Sequence, residues 1–209
     1  MKKGQELSTV ILLHFAVLRR IFSGITMKLM FASDIHGSLT ATERVLDIFT
    51  RSGAEWLMLL GDFLNHGPRN PLPEAYQPAE VASRLNAFAR QIVAVRGNCG
   101  SEVDQMLLDF PITAPWQQVL LPQQRLFLKH GHLYHPQHLP PLQAGDVLVY
   151  GHTHLPVAER QGEVYCFNPG SVSLPKGGNV PSYGMLSQGE LQVLPLMGGE
   201  PIAQVIISH

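Results

Sequence analysis

The first half of the chain alternates apolar runs of strand length with amphipathic segments. Lys28 to Ser33 and Trp56 to Leu60 are nearly continuous apolar runs closed by polar or glycine residues, which predicts strands buried on both faces. Between them Val45, Leu46, Ile48 and Phe49 fall on one side of a helix, opened by a capping box at Thr40-Ala-Thr-Glu43 and stopped at Gly53. Asn65 to Pro78 is rich in proline and asparagine and reads as a loop. Pro78 begins a second helix running to about Arg90, Ile92 to Val95 is a third strand, and Glu102 to Leu108 a short helix.

After Trp116 the pattern changes. Gln118 to Leu121 and Arg125 to Lys129 form a hairpin around Pro122-Gln-Gln, and Val147 to Tyr150 is another buried strand. Val157 to Arg160 and Val164 to Phe167 flank a Gln161-Gly162-Glu163 turn. Tyr183 to Leu186, Leu191 to Leu194 and Ala203 to Ile207 complete a strand-rich second half. The order β-α-β-α-β followed by strands predicts an α/β protein, a four-layer α-β-β-α sandwich with two mixed sheets and helices outside. No internal repeat or low-complexity linker interrupts it.

Composition narrows the class. A chain of 209 residues suits one compact domain with a substantial core. Fifteen Lys and Arg against 16 Asp and Glu leave a net charge of −1, so no argument for nucleic-acid or membrane-surface binding arises. The two cysteines, Cys99 and Cys166, form no framework and point to a reducing, cytoplasmic setting. Residues 1–26 combine Lys2-Lys3, an apolar Val10 to Leu18 run containing His14, and Arg19-Arg20. That run is too short to span a bilayer, which takes roughly 20 residues. It reads as a dispensable extension, of the kind an over-extended reading frame leaves, ahead of a domain spanning 27–209; a docked amphipathic helix and a targeting signal are the alternatives.

The chemistry sits at the strand ends. Asp34-Ile35-His36, Gly61-Asp62, Gly97-Asn98, His130-Gly131-His132 and Gly151-His152-Thr153-His154 each follow an apolar run. In open α/β sheets ligands bind at the carboxyl ends of strands. Two carboxylates, one amide and several imidazoles there form a ligand set for two divalent metals. In an extended segment Asp34 and His36 point the same way and can bite one ion. His152 and His154 share that spacing, unless a turn sends each to a different ion. Asp62 can bridge two ions with its two oxygens. Mixed nitrogen and oxygen ligation suits Mn, Fe, Zn, Ni or Co better than Ca or Mg.

This ordered set resembles the calcineurin-like metallophosphoesterase superfamily, whose pattern is D-x-H, G-D, G-N-H-[DE], H and G-H-x-H. The agreement runs from Met27 to the end. Ser33 to Gly37, Gly151 to Pro156 and Asn168-Pro-Gly-Ser171 resemble the small bacterial phosphodiesterases of the YfcE type, which have relatives among Vps29 scaffold proteins. The resemblance implies that Asp34, His36 and His154 hold the first metal, that Asn98, His130 and His152 hold the second, and that Asp62 bridges them. Mn is the family-led choice, with Zn, Fe, Ni, Co and Mg as alternatives. It implies a phosphodiesterase acting on a small diester by in-line attack of a metal-bridging hydroxide. A phosphomonoesterase or nucleotide phosphatase using the same metals, and a non-catalytic scaffold, are the rival readings. A monomer and a homo-oligomer fit equally.

One position departs from the pattern. Cys99 and Gly100 stand where the superfamily has histidine and an acidic residue. A thiol, with an ordinary pKa of ~8.5, is a less versatile proton donor near pH 7 than imidazole. Cys99 is thus read either as a wall of the active site or as a small residue without chemical role. His66, in the loop after Asp62, is a candidate substrate contact, and Arg69 and Arg96 are candidates for added positive charge that would turn the preference from a diester monoanion to a monoester dianion. His132 and the Asn168 to Ser171 turn read as structural, Cys166 as core, and His135, His138, His14 and His209 as surface. Asp104 and Asp109 read as solvated charges at helix ends.

Overall fold

The computed structural model describes residues 27–207 apart from Gln123. The expectation for the 1–26 extension, and those for His14 and His209, lie outside the described residues.

Two mixed sheets face each other. The first has six strands in the order β11-β10-β9-β1-β2-β3, the second five in the order β4-β5-β6-β8-β7. The strands are β1 (Leu29–Ala32), β2 (Trp56–Leu59), β3 (Ile92–Ala94), β4 (Trp116–Leu120), β5 (Arg125–Lys129), β6 (Val147–Val149), β7 (Pro156–Gln161), β8 (Val164–Pro169), β9 (Ser182–Ser187), β10 (Glu190–Pro195) and β11 (Ala203–Ile206). Each sheet contains a parallel trio, β1-β2-β3 in one and β5-β6-β8 in the other. Antiparallel strands complete both.

The period of two decides which core each side chain joins. Leu29, Phe31, Met58 and Leu60 point between the sheets and meet Leu126, Leu128, Val147, Val149 and Phe167. Met30, Ala32, Leu57 and Leu59 point outward, where Val45, Leu46 and Phe49 of α1 (Leu39–Ser52) and Val81, Ala82 and Leu85 of α2 (Pro78–Asn86) cover them. Both faces of β1 and β2 are therefore dry, which is why their sequences read as unbroken apolar runs.

The helix boundaries differ from the periodicity reading at three points. The N-cap of α1 is Ser38, whose side chain accepts from the Ala41 amide at 3.3 Å, not the Thr40 capping box. Ser38 has the extended backbone a cap needs, whereas Thr40 is already helical. The second helix stops at Asn86 and gives way to a 3-10 turn, Ala89–Gln91. In α3 (Glu102–Leu107) Asp104 is buried, not solvated: it exchanges hydrogen bonds with the N-cap Ser101. Gly53 closes α1 in the left-handed conformation, as expected.

On the outer face of the second sheet, Leu148, Tyr150 and Cys166 form a small cluster with Phe127, Leu142 and Val157. The covering segment between β5 and β6 carries Pro136, Pro140 and Pro141 and holds no helix. Among the described residues no helix is long and apolar enough to cross a membrane.

Candidate metal centre

The two parallel trios bring their carboxyl ends to one edge of the molecule. There β1 delivers Asp34 and His36, β2 Asp62, β3 Asn98, β5 His130 and β6 the Gly151-His-Thr-His154 run. Among the described residues seven non-glycines have positive φ. Five are candidate ligands: Asp34 (57°), His36 (51°), Asp62 (55°), His152 (65°) and His154 (60°). The extended geometry expected for Asp34-Ile-His36 is thus not what forms. Left-handed backbone at ordinary residues costs of order 1–3 kcal/mol each and persists only where the surroundings enforce it. Here the enforcement is a ladder of main-chain bonds: Asp34 N–H donates to Gly61 (3.3 Å), His36 to Asp62 (2.8 Å) and Gly37 to Phe63 (2.8 Å). Gly151 closes the gap between the sheets, because a Cβ there would lie 1.9 Å from Ser33 Oγ. His152 N–H then donates to Asp34 Oδ2 at 3.0 Å, and Ser33 Oγ does so at 2.6 Å.

Backbone carbonyls set the tautomers of three histidines. Nδ1 of His36 faces the Asn65 carbonyl (2.9 Å), Nδ1 of His130 that of Leu60 (2.7 Å), and Nδ1 of His154 that of Leu174 (2.5 Å). A carbonyl only accepts, so each Nδ1 carries a proton and each Nε2 faces inward, free to ligate once it holds none. Those inward nitrogens crowd other electron-rich atoms. His154 Nε2 lies 3.3 Å from His36 Nε2 and 3.2 Å from Asp34 Oδ1. His130 Nε2 lies 2.9 Å from Asn98 Oδ1, 3.3 Å from His152 Nδ1 and 3.3 Å from Asp62 Oδ2. Asp34 Oδ1 is buried with no hydrogen-bond partner. Converging lone pairs and an orphaned carboxylate oxygen fit positive charge at both places. Asp34, His36 and His154 place one ligand atom each within 4.8 Å of one another, and so do Asp34, Asp62 and His130.

Asp62 stands between the two groups by one oxygen. Oδ2 is 3.3 Å from His130 Nε2 and 3.9 Å from His36 Nε2, while Oδ1 accepts the Cys99 amide at 2.8 Å. Oδ2 is thus the oxygen that faces both groups of imidazoles.

The titration behaviour follows. Burial opposes ionisation of Asp34, but the facing imidazoles of His154, His36 and His130 hold its pKa well below the ordinary carboxylate value. Burial disfavours the charged form of His130, yet Asp62 and Asp34 raise it to about 9. His152 goes the other way: burial and the charge on His130 push it down to about 4. Burial first, then Asp62, push the Cys99 thiol up to about 12, so it stands neutral in the cavity wall.

A cavity of about 910 Å³ opens over this cluster, lined by Asp62, Asn98, Cys99, His152 and His154 and by the loop carrying Arg69. The seven expected ligands converge, and Cys99 joins them. His66 does not line the cavity; its ring packs edge-on against Tyr76 at 5.4 Å, because its loop turns it toward α1's entry rather than the opening. Arg96 is occupied by Glu102 and the Gly100 carbonyl. Sequence reading missed Lys176, which lines the cavity from the loop after Ser171. It also missed how Asn168 and Ser171 brace the centre. Asn168 Nδ2 donates to Gly151 O (2.9 Å) and Thr153 Oγ1 (3.0 Å), and Ser171 Oγ to Asp34 O (2.9 Å).

A fold of two mixed sheets with this cluster at the carboxyl edge defines a metallophosphoesterase. The calcineurin-like phosphoesterase superfamily domain matches residues 27–190, and the chain belongs to that superfamily. It is 70% identical over 182 residues to phosphodiesterase YfcE of Escherichia coli K12, covering 87% of this chain and 99% of that protein. The solved structure of the E. coli YfcE phosphoesterase superposes with a TM-score of 0.86 at 69% identity, covering 87% of this chain and all (100%) of that one. Vps29 of Cryptosporidium parvum shares the fold, with a TM-score of 0.59 at 17% identity, covering 87% of this chain and 98% of that one.

Proposed function

We propose that this chain is a metal-dependent phosphodiesterase with two divalent ions at the cluster described above. The carrying observation is the convergence of imidazole nitrogens on each other and on an orphaned, buried Asp34 oxygen. Asp34, His36 and His154 would hold one ion and Asn98, His130 and His152 the other, with Asp62 serving both. Bound divalent ions supply Lewis acidity and water acidified to a pKa of ~7. Kinship with the superfamily points to Mn, with Zn, Fe, Ni, Co and Mg as competitors, and the mixed imidazole, carboxylate and amide set accepts any of several transition metals.

The chain's own residues supply the rest. The Asn65, Leu60 and Leu174 carbonyls hold three rings in ligating orientation, and the Cys99 amide fixes the rotation of Asp62. Cys99 occupies the wall where the superfamily has its histidine. Its neutral thiol offers little general-acid assistance, so the reading favours esters with acidic leaving groups. The substrate is a small phosphodiester. The domain is 27–209, with residues 1–26 dispensable to the chemistry.

Hydrolysis of bis-p-nitrophenyl phosphate and of p-nitrophenyl phosphate, assayed across Mn, Zn, Ni, Co and Mg, separates diesterase from monoesterase. The diester is expected to be preferred, and Asp62→Ala to cost more than about a hundredfold. Undiminished diesterase activity in Asp62→Ala would overturn this reading, and a scaffold would show no metal-dependent hydrolysis at all.

A further inference from the structure

Two cavities flank His152. The larger, of about 910 Å³, is lined by Arg69 and Lys176 as well as by the metal cluster. The smaller, of about 410 Å³, is lined by His132, His135, Gln137, Tyr150 and Val157, and among the described residues no lysine or arginine lines it. A phosphodiester held at the cluster has two ester arms, so this asymmetry of charge addresses the arms differently.

Resting on the diesterase reading above, we propose that the substrate's arm in the larger cavity carries a second phosphate group, held by Arg69 and Lys176. Both cations are available. Among the described residues no carboxylate lies within 4.0 Å of either, whereas Arg96 at the same end of the molecule is paired with Glu102.

Both cations are also tied to the first ligand group. The Arg69 loop is anchored where Asn65 O accepts from His36, and is closed by Gly67 N to Asn65 Oδ1 (2.8 Å), Asn70 N to Gly67 O (3.1 Å) and Asn70 Nδ2 to His66 O (2.9 Å). Lys176 N–H donates to the His154 carbonyl at 3.2 Å, and Asn179 Nδ2 bonds the Lys176 carbonyl at 2.8 Å. The two cations therefore rise from loops that contact His36 and His154, the two histidines grouped with Asp34.

Charge decides what they would hold. Two dications with Asp34, Asp62 and one hydroxide would sum to about +1 and so already match the reacting monoanion. Two more cations match a further dianion, and a guanidinium fork beside an ammonium suits phosphate.

The test compares two chromogenic diesters that differ only in the second anion: thymidine 5′-(p-nitrophenyl phosphate) with and without a 3′-phosphate, on the Mn-loaded full chain. The 3′-phosphorylated diester is expected to have a kcat/KM about tenfold higher, mainly through KM. The Arg69→Gln/Lys176→Gln variant should bring that ratio toward one. Arg84→Gln, which removes a distant cation paired with Glu43, should keep it. Rising salt should lower it. Calorimetric titration with thymidine 3′,5′-bisphosphate against thymidine 5′-monophosphate should order the affinities the same way. A wild-type ratio of one or below, or a ratio untouched by the double variant, overturns the proposal. Failure to hydrolyse either diester instead sinks the diesterase reading on which it rests.

Discussion

At the scale of single residues, the centre is built by forcing ordinary side chains into an uncommon backbone. Aspartate tolerates the left-handed region, but histidine there is rarer. No residue type along Asp34-Ile-His36 or His152-Thr-His154 announces it. What was legible was chemistry: which residues could ligate and which stood in a departing position. Cys99 is the clearest case. It lies against the cluster with its amide on Asp62 and its thiol pushed to about 12. Cys99→His is expected to improve turnover of diesters with poor leaving groups by about a hundredfold, and to change p-nitrophenyl esters much less. A kcat/KM series across leaving groups checks this, and an equal effect along the series counts against it. Lys176 and Asp104 escaped sequence reading because exposure and partners, not residue type, decide their roles.

At the scale of elements, strands were easier to read than helix ends. A strand buried on both faces leaves a contiguous signal, as Leu29 to Ala32 and Leu57 to Leu60 do. A helix start depends on which of several polar residues adopts extended geometry, and Ser38 rather than Thr40 did so here. Packing between sheets was not legible at all. Gly184 on β9 sits opposite Phe31, and a Cβ there would lie 2.6 Å from the Phe167 ring. Phe31 and Phe167 meet edge-on at 5.4 Å across the gap. Gly184→Val should therefore cost about 1–3 kcal/mol by overpacking, lowering Tm by roughly 2–4 °C per kcal/mol. Thermal unfolding checks it, and an unchanged Tm would show that the sheets give way.

At the scale of the whole molecule, two sheets are joined at their reactive edge by charge, so stability there depends on pH. His130 has a folded pKa of about 9, above the ordinary 6.5. Its contribution is complete below pH ~6.5 and is lost as pH rises through about 9. His152 is depressed to about 4, so its contribution is complete above pH ~6.5 and is lost as pH falls through 4. Asp34, also depressed, adds to the acid-side loss. In EDTA the Tm should peak near pH 6–7 and fall on both sides. Mn binding must displace the His130 proton, so its stabilisation should grow from pH 6 to 9. At a hundred times Kd it amounts to about 2.7 kcal/mol. Fluorimetric melting across pH with and without Mn checks both, and a flat profile in EDTA would refute the assigned shifts.

The sequence by itself determined the strand runs, the α/β class and the identities of the seven converging donors, because burial and ligation each demand particular residue types in local order. The resemblance implied a division of these residues into two groups, and only the tertiary structure decided the contacts that stand behind it. His152 turns to His130 and His154 to His36, while a single Asp62 oxygen stands between them. It also decided that Arg69 and Lys176 share one cavity. These are contacts between residues as far apart as 118 positions, such as His36 and His154. Their distances depend on how two sheets pack, which no local pattern encodes.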